Sequence, residues 1–110
     1  MKDLKVSLLM DFYGNLLPEK QLDMLEQYYQ EDLSLSEIAQ NSAITRQGVH
    51  DNIKRAVAEL KNYEEKLGLL TRFSEITEAA EQIRSYVTAD FTKEDTAKIL
   101  SLLDIIIKEA

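Results

Sequence analysis

Apolar residues recur every three or four positions over most of this chain, and no run alternates apolar and polar as a half-buried strand does. The pattern predicts helices throughout. Leu4, Leu8 and Phe12, at i, i+4 and i+8, put one apolar face on a first helix, with Gly14 as its stop. Pro18 suits the first turn of a second helix, in which Leu22, Leu25 and Tyr29 form a buried stripe. Ser34 with Glu37 three residues on is a capping box, and it predicts a short third helix over 35–42 with Ile38 and Ala39 turned inward. Thr45 reads as the N-cap of a fourth helix. Its Val49, Ile53, Val57 and Leu60 bury one face until Gly68 ends it.

Beyond Leu70 the rhythm changes. Phe73, Ile76, Ala80, Ile83 and Val87 follow the alternating three and four spacing of a coiled-coil-like seam on a fifth helix. Thr92 with Asp95 resembles another helix start, and Ile99, Leu102, Leu103 and Ile106 give a sixth helix its apolar face. One Pro and three Gly leave few chain breakers, so the fold class is all-α: a helix-turn-helix bundle with a C-terminal two-helix extension. With no linker-like stretch, residues 1–69 read as the helix-turn-helix domain and 70–110 as a helical hairpin belonging to the same unit.

Chemistry and charge narrow the function. The 110 residues contain no cysteine, which excludes disulfides, thiolate metal sites and thiol nucleophiles, and the expected compartment is the cytoplasm. No apolar run approaches the ~20 residues of a membrane helix, and the N-terminus has no apolar core of a signal peptide. One histidine, no glycine-rich phosphate loop and no metal-ligand spacing argue against an enzyme, a cofactor or a metal site. The pairs Glu31-Asp32, Glu64-Glu65 and Glu94-Asp95 are adjacent, so on helices they splay apart and read as solvated faces. The formal charge is −7 and each third of the chain is acidic, so any nucleic-acid binding must come from a local patch.

Such a patch lies in 35–57. A short capped helix, a turn at 41–44 and a longer helix opening on Thr45-Arg46-Gln47 form the layout of a helix-turn-helix. Ala39 supplies the small residue at the crossing, and Ile38, Ile44, Val49 and Ile53 supply the apolar contacts. The second helix would then show Arg46, Gln47, His50, Lys54 and Arg55 to a major groove, with Asp51 and Asn52 beside them. Arg46 and Gln47 have donor geometry for base edges, and Lys54 and Arg55 reach toward phosphates. The candidate DNA-binding set is therefore Arg46, Gln47, His50, Asn52, Lys54 and Arg55. The plainer reading of these residues is a solvated face of an amphipathic helix.

The stretches Leu33 to Ala39, Thr45 to Arg55 and Tyr63 to Leu70, in that order, resemble the YlxM family. More distantly, Glu37-Ile38-Ala39 with Val49, Ile53, Arg55 and Ala56 is similar to the DNA-binding fourth region of bacterial sigma factors. The YlxM resemblance implies a small cytoplasmic bacterial protein with a sigma-like helix-turn-helix, associated with the GTPase of the signal recognition particle or its receptor, in a regulatory role. Three positions depart from the sigma-like pattern. Ala43 stands where the turn usually has Gly, Ser42 where an apolar residue is usual, and Gly48 where a better helix former belongs. Gly48 costs up to ~1 kcal/mol relative to Ala, or permits close approach of another backbone.

Two functional classes follow: a regulatory DNA-binding protein, or an acidic adaptor of the targeting GTPase without DNA binding. The seam carrying Phe73, Ile76, Ile83 and Val87 also leaves two alternatives, packing onto the first two helices or a homodimer interface.

Overall fold

A computed structural model describes residues 4–87 and 92–109. Lys2 and Asp3 of the charged N-terminus lie outside the described residues. The described residues form six α-helices and no strand, and the chain divides into two compact units, 1–68 and 69–110.

The first unit holds α1 (Leu4–Tyr13), α2 (Glu19–Tyr29), α3 (Leu35–Ser42) and α4 (Arg46–Leu67), with a 3-10 turn, Gly14–Leu16, after α1. The long α4 is the axis of the unit, and α1, α2 and α3 each pack against it. Leu9, Tyr13, Leu25, Ile38, Val49, Ala56 and Leu60 fill the centre, each essentially inaccessible.

The face of α1 differs from the one its spacing predicts. Val6, Leu9, Met10 and Tyr13 are buried, whereas Leu4 is 75% and Leu8 38% exposed and Phe12 is half-buried. This helix is apolar nearly all round, so periodicity cannot tell which arc meets α4. Tyr13 decides it: its ring stacks on Tyr63 of α4 at 6.0 Å between centroids, and its hydroxyl donates to Glu64 Oε1 at 2.6 Å. Glu64 is thus not part of a solvated face.

Gly14 follows the last residue of α1, but its role is space. A Cβ there would lie 3.1 Å from Leu22 Cδ1. Pro18 is the N-cap of α2, and its carbonyl accepts from the Leu22 N–H at 3.0 Å. Gly68 closes α4 in the left-handed region, φ 63°, its N–H donating to the Glu64 carbonyl at 2.8 Å.

The second unit is an antiparallel hairpin of α5 (Leu69–Val87) and α6 (Lys93–Glu109). Direction is fixed by two cross-helix pairs: Lys98 Nζ lies 5.5 Å from the Tyr86 ring centroid, and Glu75 hydrogen-bonds Glu109. Thr92 caps α6, its hydroxyl accepting from the Asp95 N–H at 3.1 Å while the Asp95 carboxylate accepts from the Thr92 N–H. The seam between the helices is shifted from the predicted one. Ala79 is buried and Ile76, Ile83 and Tyr86 half-buried, while Phe73, Ala80 and Val87 stay exposed. On α6, Ile99, Leu102 and Ile106 are half-buried and Leu103 is exposed.

Candidate nucleic-acid interface

The helix-turn-helix is built by its caps. Ser34 Oγ accepts from the Glu37 N–H at 3.1 Å and the Glu37 carboxylate accepts from the Ser34 N–H at 3.0 Å, so α3 starts in the expected capping box. At its other end Ala43 adopts φ 55°, ψ 37°, and the Ile44 N–H reaches back to the Ala39 carbonyl at 3.3 Å. This left-handed residue turns the chain into α4. Thr45 Oγ1 then accepts from the Gly48 N–H at 3.0 Å and fixes the first turn.

Ile38 and Val49 are fully buried and Ile53 nearly so, which sets the crossing of α3 and α4. Ile44 does not join them. It is 39% exposed, because it precedes the N-cap and its side chain lies over Gly48, 3.5 Å from where a Cβ would stand.

The buried face of α4 is Val49, Ile53, Ala56 and Leu60. At about 100° per residue, Gln47, Asp51 and Lys54 lie opposite it, with Arg46 and His50 on one flank and Arg55 on the other. All six are exposed. Gln47 Nε2 donates to Asp51 Oδ1 at 3.0 Å, and His50 Nδ1 lies 3.6 Å from the same oxygen. Asp51 therefore orders Gln47 and places a carboxylate at the centre of the face, beside His50. Asn52 is half-buried, and its amide donates to the Gly48 carbonyl at 2.8 Å, so it is turned along its own helix rather than outward. Beside Lys54 is a shallow hollow of about 260 Å³ walled by Tyr28, Tyr29, Leu35 and His50.

One bracing residue had no signal in the spacing. Gln27 is buried at 8% exposure, accepts from Asn41 Nδ2 of α3 at 2.9 Å and donates to Asp23 Oδ2 at 2.9 Å. It ties α3 to α2 just before the turn. Past Asn41 runs a groove of about 700 Å³ whose walls include Glu19, Asp23 and Glu26 of α2, with Leu22 and Ile44 as apolar surface. Among the described residues no group of His, Asp and Glu could hold a metal ion, and no helix is long and apolar enough to cross a membrane.

Comparison with known proteins returns a helix-turn-helix family. A family model described as "Putative helix-turn-helix protein, YlxM / p13 like", UPF0122, matches residues 1–100. The chain belongs to the UPF0122 family. A UPF0122 protein of Desulforamulus reducens is 58% identical over 71 residues, 64% of this chain and 61% of that relative. One of Halalkalibacterium halodurans is 44% identical over 94% of both chains. Another, of Acetivibrio thermocellus, is 43% identical over 96% of this chain and 92% of its own. Membership of UPF0122 agrees with the YlxM resemblance of the sequence motifs and with the all-α helix-turn-helix fold.

Proposed function

We propose that this UPF0122 chain is a cytoplasmic regulatory protein that acts by binding, not catalysis, and lays the N-terminal half of α4 in the major groove of duplex DNA. The observation that supports this reading is the outward face of α4. Arg46, Gln47, His50, Lys54 and Arg55 are exposed on a helix whose other face is held by Val49, Ile53 and Ala56. Arg46 suits guanine, the Gln47–Asp51 pair offers a donor and an acceptor to base edges, and Lys54 and Arg55 flank them as phosphate contacts. The regulation we propose is of protein targeting, the setting that the YlxM resemblance implies, and the working form is a homodimer joined through 69–110.

The test is anisotropy of labelled duplex fragments against salt. Two heads, each neutralising about three phosphates, give a log–log slope of about −5. Arg46→Ala and Lys54→Ala are expected to weaken binding and flatten that slope.

The acidic groove favours a second reading. Three carboxylates, Glu19, Asp23 and Glu26, against the one cation Lys20, beside apolar Leu22 and Ile44, suit a basic amphipathic segment of a protein partner. That partner would be the signal recognition particle GTPase or its receptor. Capture from lysate that survives nuclease, with DNA binding unchanged by both substitutions, would favour this adaptor.

A further inference from the structure

We propose that a second copy of this chain docks on one side of the C-terminal hairpin, covering Phe73, Ala80 and Val87 of α5 together with Leu100, Leu103 and Ile107 of α6. This gives the proposed homodimer its surface; it rests on that part of the reading and is independent of DNA binding.

The two sets of residues lie on the same side. Both helices are right-handed and turn about 100° per residue. On α5 the line Phe73, Ala80, Val87 is displaced toward one side of the Ile76–Ala79–Ile83–Tyr86 seam. On α6 the line Leu100, Leu103, Ile107 is displaced in the same rotational sense from Ile99, Leu102 and Ile106. In antiparallel helices, equal rotation from the shared seam brings both lines to one side of the pair. The opposite side confirms the sense: Glu75, Glu78 and Gln82 of α5 border the same hollow as Ile105 of α6. The hairpin thus carries carboxylates on one side and apolar side chains on the other.

The area argues for a second copy. Phe73 is 51%, Val87 51%, Leu100 57%, Leu103 39% and Ile107 72% exposed. At roughly 150–200 Å² for a large side chain, these five hold on the order of 450 Å² of accessible apolar surface. That is within the roughly 300–600 Å² of the largest apolar patch on a typical monomer, a patch that is often functional. Mutual covering by two copies removes on the order of 900 Å² from these side chains alone, just below the ~1,000 Å² that a specific interface must clear, and rim atoms supply the remainder. The rim is self-complementary as well. Arg84, whose guanidinium lies 3.5 Å from Glu81 on its own helix, borders the face on α5 and Asp104 borders it on α6, so a two-fold pairing of α5 over α6 brings Asp104 to the Arg84 edge. Two hairpins joined in this way make a four-helix bundle whose core is the line of apolar residues now exposed.

Sedimentation equilibrium of the full chain at tens of micromolar tests the surface. The wild type is expected at twice the monomer mass. Leu103→Glu and Ile107→Glu, at exposed positions and checked for retained helicity by circular dichroism, are each expected to raise the dimer Kd at least tenfold. Ile105→Glu, on the carboxylate side, is expected to leave the dimer intact. A dimer that survives both face substitutions, or that is lost only with Ile105→Glu, overturns this surface and leaves the homodimer to be located elsewhere. A monomeric wild type removes both, and the anisotropy experiment then reports on DNA binding alone.

Discussion

The hydroxyl of Tyr13, at the end of α1, donates a 2.6 Å hydrogen bond to a carboxylate oxygen of Glu64, 51 residues later near the end of α4. Tyr13 is 1% exposed, so this bond closes the buried end of the α1–α4 contact. A bond to an ionised acceptor is worth about 1.5–3 kcal/mol, and removing its donor leaves Glu64 to recover partners from water. Tyr13→Phe keeps the ring on Tyr63 and is expected to cost about 1.5–2 kcal/mol in urea unfolding. Glu64→Gln keeps a neutral carbonyl acceptor and is expected to cost about half as much. Equal costs would mean that the charge on Glu64 contributes nothing to the bond.

The same pair shows where sequence reasoning stops. Capping signals are local, and those of α3, α4 and α6 place Ser34, Thr45 and Thr92 at helix starts with the partners their spacing predicts. Gly68 likewise ends α4. Which arc of a largely apolar helix meets its neighbour is not local. In α1 the choice of Val6, Leu9, Met10 and Tyr13 over Leu4, Leu8 and Phe12 rests on Tyr63 and Glu64, far along the chain. In α5 the seam takes Ala79 rather than Ala80 and leaves Phe73 and Val87 outside, and two adjacent alanines of equal size give the local sequence no way to choose between them. On α4 the exposed positions follow from periodicity, but the turning of Asn52 onto the Gly48 carbonyl and the Gln47–Asp51 pair depend on rotamers that spacing does not encode. Gln27, a polar residue on the inner side of α2, reads as a mismatch in the sequence until Asn41 and Asp23 supply its bonds.

Ala43 in the turn and Gly48 in the first turn of α4 separate backbone strain from cap geometry. Ala43 holds φ 55° at the end of α3, a conformation that costs an L-residue roughly 1–2 kcal/mol, part of which glycine returns as unfolded-state entropy. Ala43→Gly is therefore expected to stabilise the chain by about 0.5–1 kcal/mol. Gly48→Ala would on helix propensity gain ~1 kcal/mol. The new Cβ, however, would stand 3.1 Å from Thr45 Oγ1, the atom that accepts the Gly48 N–H, so the cap weakens as the helix gains. The expected net change is below about 0.5 kcal/mol. Thermal melts of both variants check the pair. A full propensity gain at Gly48 would show that the Thr45 hydroxyl can move aside without loss, and would reopen the reading in which glycine serves the approach of another backbone.

Across the hairpin, Glu75 of α5 and Glu109 of α6 share a hydrogen bond, and that bond together with the like charge of Glu109 raises the Glu75 carboxyl above its usual 4.5. A bond between two carboxyl groups requires one proton. A carboxyl whose value is raised on folding binds its proton more tightly in the folded hairpin than in the unfolded chain. Its stabilisation is complete below the unfolded value and is lost as pH rises through the folded one. Near neutral pH the two carboxylates repel, exposed Glu75 against half-buried Glu109, where solvent screens them in part. Amide exchange of α5 and α6 is expected to slow as the pH is lowered toward 4.5, after correction for the intrinsic rate. Glu75→Gln retains a donor toward Glu109 without the charge, so its hairpin is expected to be protected at neutral pH and to lose that pH dependence. If Glu75→Gln and wild type followed the same corrected pH profile, the pairing of Glu75 with Glu109 would have no part in closing the hairpin.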